Sequence, residues 1–312
     1  MGPEMKISER LLYRLVRLFY RTEVAHSPEM KQALQDIESF DAYRGAEIAR
    51  ILEACDRYDI PIAGRRVLDF GCNDGAISPK YLQRGALSVV GVDVDEEAIG
   101  RAQANRRDDG LSFVKSNVDG VPLEDESIDT IVSYDVFEHV SEPKAILSEL
   151  RRILAPSGQI LIGTWSWRHP FAPHLWAVMP VPWAHMFFSE RTILRVCRRV
   201  YHSPWYVPNM HDFDANGERL ADKYTNDMIS TDYLNKYLIV DFEATFESVG
   251  FDCQTHCVPF GSKYARWTGF LLRAPWVREF LSGYVWFVLS KPKADKGLNG
   301  NGDAVASGNA LR

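Results

Sequence analysis

The sequence predicts an α/β protein built on a doubly wound, mostly parallel sheet. Three observations predict it. Short β-branched runs alternate with helical segments between residues 66 and 164. The first run closes on a glycine-rich turn that opens a helix, and the second ends in an acid, Asp93, about twenty residues past the first glycine of that turn.

Residues 6–22, KISERLLYRLVRLFYRT, put Leu11, Leu15, Leu18 and Phe19 on one face and Arg10, Arg14, Arg17 and Arg21 on another, an amphipathic helix. Such a helix packs on a domain, or lies on a membrane surface, or serves as a lid. A second helical stretch runs from about Pro28 to Tyr58. The alternation then begins: RVLDF and AISPKYLQRG, LSVVGVD and DEEAIGRAQANRR, LSFVKSN, SIDTIVSYD and EPKAILSELRRIL, then GQILIGTW. Between Trp165 and about Val240 the regularity stops, in a stretch dense in Trp, His and Pro; so many aromatics argue for a packed cap. The pattern resumes with a helix DFEATFESVG, a strand FDCQTHCVP, an apolar helix APWVREFLSG and a final strand YVWFVLS. This organisation divides the chain into an N-terminal helical segment (1–60), the half of the core that carries the glycine turn (61–164), an insertion (165–239), the remainder of the core (240–290) and a tail (291–312) read as disordered.

A net charge of −6 gives no global attraction to nucleic acid, and no basic stripe accompanies the aromatics, so no nucleic-acid partner is expected. Five scattered cysteines and the absence of a signal-peptide pattern or a bilayer-length apolar run suggest the cytoplasm. Cys253, His256 and Cys257 look like metal ligands, but residues four apart on a strand lie roughly 13 Å from each other, too far to share an ion. No metal is expected.

The turn itself reads VLDFGCNDG. Its order Gly71, Asn73, Gly75 lacks the third glycine of a dinucleotide fingerprint, and Asp69 in the strand before it suits a ligand with a cationic centre better than a pyrophosphate. Asn73 stands where such loops repeat glycine. Asparagine is among the side chains that best tolerate positive φ, so the turn can survive, and its side chain could meet a ligand carboxylate. Asp93 could instead cap the next helix, but Asp95, Glu96 and Glu97 fit that job better.

VLDFGCNDG, VVGVDVDEEAI, VPLEDESIDTIVSYDVFEHVSEP and LRRILAPSGQILIGT, in that order, resemble the successive motifs of class I S-adenosylmethionine-dependent methyltransferases over about residues 65–164. The resemblance implies a Rossmann-like, seven-stranded sheet whose last strand, here YVWFVLS, is antiparallel. It places Asp69, Gly71, Cys72 and Gly75 on the loop around the methionine part of S-adenosylmethionine, with Asn73 among them. Asp93 falls on the ribose-binding acid, Val94 against the adenine, and Asn117 and Val118 where the family meets the adenine amino group; Asn117 lacks the charge of the usual acid there. Tyr134 would line the cofactor pocket.

Methyl transfer from a sulfonium mainly requires two ligands held in line without water. Asp135 at the C-terminal end of SIDTIVSYD, His139 just after it, and the insertion histidines His169, His174 and His185 are the candidate general bases, while Trp167, Trp176 and Trp183 are candidates for shaping an acceptor pocket. The expectation is an enzyme that methylates a small molecule, with oxygen or carbon preferred as acceptor. A non-catalytic cofactor- or partner-binding module, and a nicotinamide oxidoreductase, are the rivals.

Overall fold

The computed structural model describes residues 5–20, 32, 37–106, 108–117, 120–209, 212–214, 217–221, 224, 234–260 and 269–292. The expected residue Val118 and most of the tail lie outside them.

The strands β1 (Arg66–Phe70), β2 (Ser88–Asp93), β3 (Leu111–Lys115), β4 (Ile128–Tyr134), β5 (Leu154–Thr164), β6 (Asp252–Pro259) and β7 (Ser282–Ser290) form one sheet in the order β3-β2-β1-β4-β5-β7-β6. Pairing is parallel from β3 through β5, and β7 is antiparallel to both its neighbours. The order reverses at β1 and β4, so the crevice at their C-terminal ends is the place where a doubly wound sheet binds ligands.

Helices α1 (Ile7–Phe19), α2 (Ile37–Arg57), α3 (Ser78–Gln83), α4 (Glu96–Asn105), α5 (Pro143–Ile153), α6 (Ala184–Phe187), α7 (Glu190–Tyr201), α8 (Ile239–Ser248) and α9 (Pro275–Leu281) complete the order, with a 3-10 turn at Phe137–His139. Asp95 caps α4 by accepting from the N–H groups of Glu97 and Ala98, as its sequence position suggested. One face of the sheet buries Leu68, Ile131, Ile160 and Phe287 against Leu147, Leu150, Phe242 and Phe246. The other packs Val67, Val89, Val132 and Trp286 against Ile51, Ala54 and Cys55 of α2. Burial on both faces is what sequential strand–helix crossovers require.

Two features differ from the reading of the sequence. The insertion is not irregular throughout: α7 is a helix of twelve residues, capped by Ser189, whose Ile193, Val196, Cys197 and Val200 are buried. The N-terminal segment does not form one unit either. Leu12 and Val16 of α1 pack with α7 and with Leu175, Val178 and Met179, a cluster separate from the sheet, whereas α2 belongs to the sheet. Both ends of the insertion are held at one point. The buried Glu279 accepts from Ser166 Oγ (2.6 Å) and from the N–H groups of Ile239 (3.0 Å) and Val240 (3.1 Å).

Candidate active site

Gly71 has φ +78°, and a Cβ there would stand 2.2 Å from a methyl of Val136; Gly75 has φ +72°, and its Cβ would stand 2.5 Å from the Phe113 ring. Neither position admits a side chain. Asn73 between them has φ +49°, so asparagine does occupy the left-handed conformation. Its N–H donates to Asp93 Oδ2 (2.8 Å), and the N–H of Asp95 donates to Asp93 Oδ1 (3.0 Å). Each carboxylate oxygen thus accepts one backbone N–H and retains a lone pair for a ligand hydroxyl. The loop is fastened from outside by Arg44 of α2, whose guanidinium meets both oxygens of Asp74 at 3.0 and 2.7 Å.

Above this loop lies a cavity of about 410 Å³ lined by Gly71, Asn73, Asp93, Val94, Asn117, Tyr134, Asp135 and His139, together with Phe70, Val92, Ser116, Val136, Val140, Ser141 and Ile146. Most of the expected cofactor residues are therefore gathered in one place. Asp69 and Cys72 contribute from beneath rather than by side-chain contact. The Asp69 carboxyl is buried, accepts from Ser78 Oγ (2.5 Å), and is pushed up to about 7 chiefly by burial. The Cys72 thiol packs with Ile99, Ala102 and Phe113, and would meet a Cβ added at Gly91 at 2.9 Å. Neither residue lines the cavity.

A second cavity, of about 440 Å³, adjoins the first, and Tyr134 and Asp135 line both. Its roof is one side of α2, carrying Tyr43, Glu47, Arg50 and Ala54, with Tyr58 just past the helix end, and its floor includes Trp165, Phe260, Tyr284 and Trp286. Gly163 makes that floor possible, because a Cβ there would stand 2.5 Å from the Trp286 ring and 2.8 Å from Tyr284 Oη. Asp135 sits at the junction with φ +53°, a conformation that costs a non-glycine residue energy and often marks a working site. Tyr284 Oη (2.8 Å) and Trp165 Nε1 (3.0 Å) both donate to its Oδ1. Burial, and then the charge of Glu138, hold the Asp135 carboxyl well above the usual carboxylate range. Glu138 is itself pushed up to about 7 by burial, accepts from Thr164 Oγ1 (2.7 Å), and has its other oxygen buried without a hydrogen-bond partner.

The histidines divide. His139 lines the first cavity and stands 5.3 Å, ring to ring, from His174. His169 lines neither cavity: it is buried under Trp165 at 4.2 Å, its Nδ1 accepts from the Phe171 N–H (3.1 Å), and burial holds its pKa down at about 3. His185 is turned to the carbonyl of Trp167 at 2.8 Å, and Trp183 Nε1 donates to the carbonyl of Arg168 (3.0 Å). Among the described residues of the aromatic insertion, Trp165 alone lines the second cavity. Tyr284, Trp286, Gly163 and the α2 roof went unassigned in the sequence. The available signal was two aromatics at i and i+2 on the last strand, which puts both on one face. Cys253, Cys257 and His256 lie along β6, with the His256 ring stacked on Tyr58 at 4.2 Å, and among the described residues no cluster of His, Cys, Asp or Glu is arranged to hold a metal ion.

The sheet order, the glycine loop and the acid closing β2 define a methyltransferase core. Residues 68–162 match the family model described as a methyltransferase domain, which supports a class I S-adenosylmethionine-dependent methyltransferase core in this part of the chain. Among its relatives, an enzyme of Pseudomonas fluorescens named ubiquinone biosynthesis O-methyltransferase is 31% identical over 123 residues, 38% of this chain and 52% of that one. A transposon-encoded protein of Streptomyces fradiae is 30% identical over 173 residues, 52% of this chain and 46% of that one. The chain spans about half the length of the curated relatives it matches. Its fold is shared by a phosphoethanolamine N-methyltransferase of Haemonchus contortus, solved with S-adenosylhomocysteine, at a TM-score of 0.50 and 16% identity over 78% of this chain and 53% of that one.

Arg44 tests how the loop is supported. Arg44→Ala is expected to weaken S-adenosylhomocysteine binding by less than tenfold, since a partly exposed ion pair contributes on the order of 1 kcal/mol, and to raise the KM for the acceptor because the same helix roofs the second cavity. Calorimetry and steady-state kinetics read the two effects; a variant unchanged in both would show that the Arg44–Asp74 pair supports neither chamber.

Proposed function

We propose that this protein transfers a methyl group from S-adenosylmethionine, held in the first cavity, to a hydroxyl oxygen of an aromatic small molecule in the second. The observation that carries this reading is the meeting of two cavities of similar size at a single carboxyl, Asp135, at the C-terminal edge of the sheet. The first cavity fits the cofactor by its donor set. Asp93 offers lone pairs to ribose hydroxyls, Val94 and Val92 offer apolar surface to a base, and Asn117 offers a carbonyl to an amino group. Nothing in the loop supplies the third glycine that a pyrophosphate fingerprint needs, which disfavours a nicotinamide cofactor.

Bound there, the sulfonium would supply a methyl carbon whose bond to sulfur breaks as an oxygen lone pair arrives from the opposite side. The chain's own residues do the rest. Trp165, Tyr284 and Trp286 provide faces for a flat ring. The α2 roof keeps water from the junction, and a positive centre in the first cavity favours the ionised form of Asp135, which then takes the proton that the acceptor hydroxyl releases. Tyr284 and Trp165, by donating to Oδ1, fix the carboxyl where it can do so. The O-methyltransferase name of the Pseudomonas relative supports oxygen as acceptor. Incubation of the protein with isotopically labelled cofactor and a panel of phenols and catechols, followed by mass spectrometry, tests the reading: label on a phenolic oxygen supports it, and saturable cofactor binding with label only on carbon or nitrogen acceptors would replace it.

A further inference from the structure

The outer face of α1 is used neither by the insertion it packs on nor by the two cavities. Leu12 and Val16 are fully buried against the insertion, while Ile7, Leu11 and Leu18, at i, i+4 and i+11 and therefore on one side of the helix, are 85%, 53% and 64% exposed. Arg14 falls within that stripe, Arg10 and Arg17 border it, and all three are exposed. The one acid among the described residues of α1, Glu9, is turned inward and paired with Arg195 at 3.0 Å. The neighbouring α7 presents Arg191, Arg195, Arg198 and Arg199, all exposed. Seven arginines are thus concentrated on two packed helices of a chain whose net charge is −6.

Large aliphatic side chains among long cationic ones, with no exposed acid among the described residues of α1, suit the boundary between lipid headgroups and acyl chains: the aliphatics enter the apolar layer while the guanidiniums remain with the phosphates. A second copy of the chain suits it poorly, because a two-fold contact through this face would set the arginines of one copy against those of the other. From this we propose that the outer face of α1 docks the protein on an anionic phospholipid surface. The proposal goes beyond methyl transfer and stands independently of it.

The test is cosedimentation of the full chain with vesicles of phosphatidylcholine alone and of phosphatidylcholine mixed with phosphatidylglycerol, at low and physiological salt. Binding is expected to the mixed vesicles only and to weaken with salt. Arg10→Gln, Arg14→Gln and Arg17→Gln together are expected to reduce partitioning on the order of a hundredfold, and Leu11→Ser with Leu18→Ser to reduce it at least about tenfold. All five side chains are exposed, so thermal melts should match the parent. No binding to the mixed vesicles, equal binding to both kinds, or binding undiminished in both variants would overturn the proposal. So would a dimer in light scattering that these substitutions dissolve, which would assign the face to a second copy.

Discussion

Asp135→Asn is expected to lower methyl transfer about 10²–10⁴-fold, the range over which a positioned general base contributes, while leaving affinity for S-adenosylhomocysteine unchanged. The demethylated product carries no sulfonium charge, so it does not register the loss of the carboxylate. Asparagine tolerates the φ of +53° at this position and keeps an oxygen for Tyr284 and Trp165. Stability should move the other way. A carboxyl whose folded pKa is raised stabilises the fold below its unfolded pKa and loses that contribution as the pH rises through the folded value. The variant is therefore expected to melt no lower than the parent above the ordinary carboxylate range and to lack part of the parent's decline as the pH rises through that region. In the parent, kcat/KM should rise with pH over a limb lying above the ordinary carboxylate range, shared by Asp135 and Glu138 as an interacting pair and influenced by Tyr134, Tyr284 and Glu47 around them. A variant that retains full turnover, with the limb intact, would remove Asp135 from the chemistry.

Asp93→Ala is expected to act on the opposite property. Removing the carboxylate takes from a ribose its two acceptors and from the N–H groups of Asn73 and Asp95 their partner. Stranded donors of this kind cost about 1–3 kcal/mol, so affinity for S-adenosylhomocysteine should fall about 5- to 150-fold by calorimetry. With saturating cofactor, turnover should recover much of the parent rate. Circular dichroism establishes that the variant is folded; affinity within twofold of the parent would reject Asp93 as the ribose acid. The two substitutions together separate binding from transfer, which neither does alone.

The readable part of this molecule is the part built from near neighbours in sequence. β1, its loop and β2 were legible because one run of residues both forms the turn and lines the pocket; even the backbone conformation of Asn73 followed from the residue type. The second cavity was not. Its roof comes from residues 43–58 and its floor from Trp165, residues 258–260 and residues 283–286, which are brought together when β7 threads between β5 and β6. His169 illustrates a different limit. Its surroundings suggested an acceptor pocket, but whether a histidine faces a ligand or a tryptophan depends on burial, and the structure puts it under Trp165. The helix α7 was legible in its spacing of Ile193, Val196, Cys197 and Val200 after Ser189, but the aromatic density just before it drew the reading toward an irregular cap. The partner of that cap, α1, lies at the other end of the chain and left no local trace.

One body touches both chambers. The helix α2 is 21 residues long, about 30 Å; Arg44 reaches the loop under the first cavity, and Glu47 and Arg50, one and two turns further on, face the second. A rod fastened to the glycine loop and roofing the proposed acceptor chamber would make the two equilibria heterotropic. Whatever factor the filled cofactor chamber would add to acceptor affinity, the acceptor would return to the cofactor.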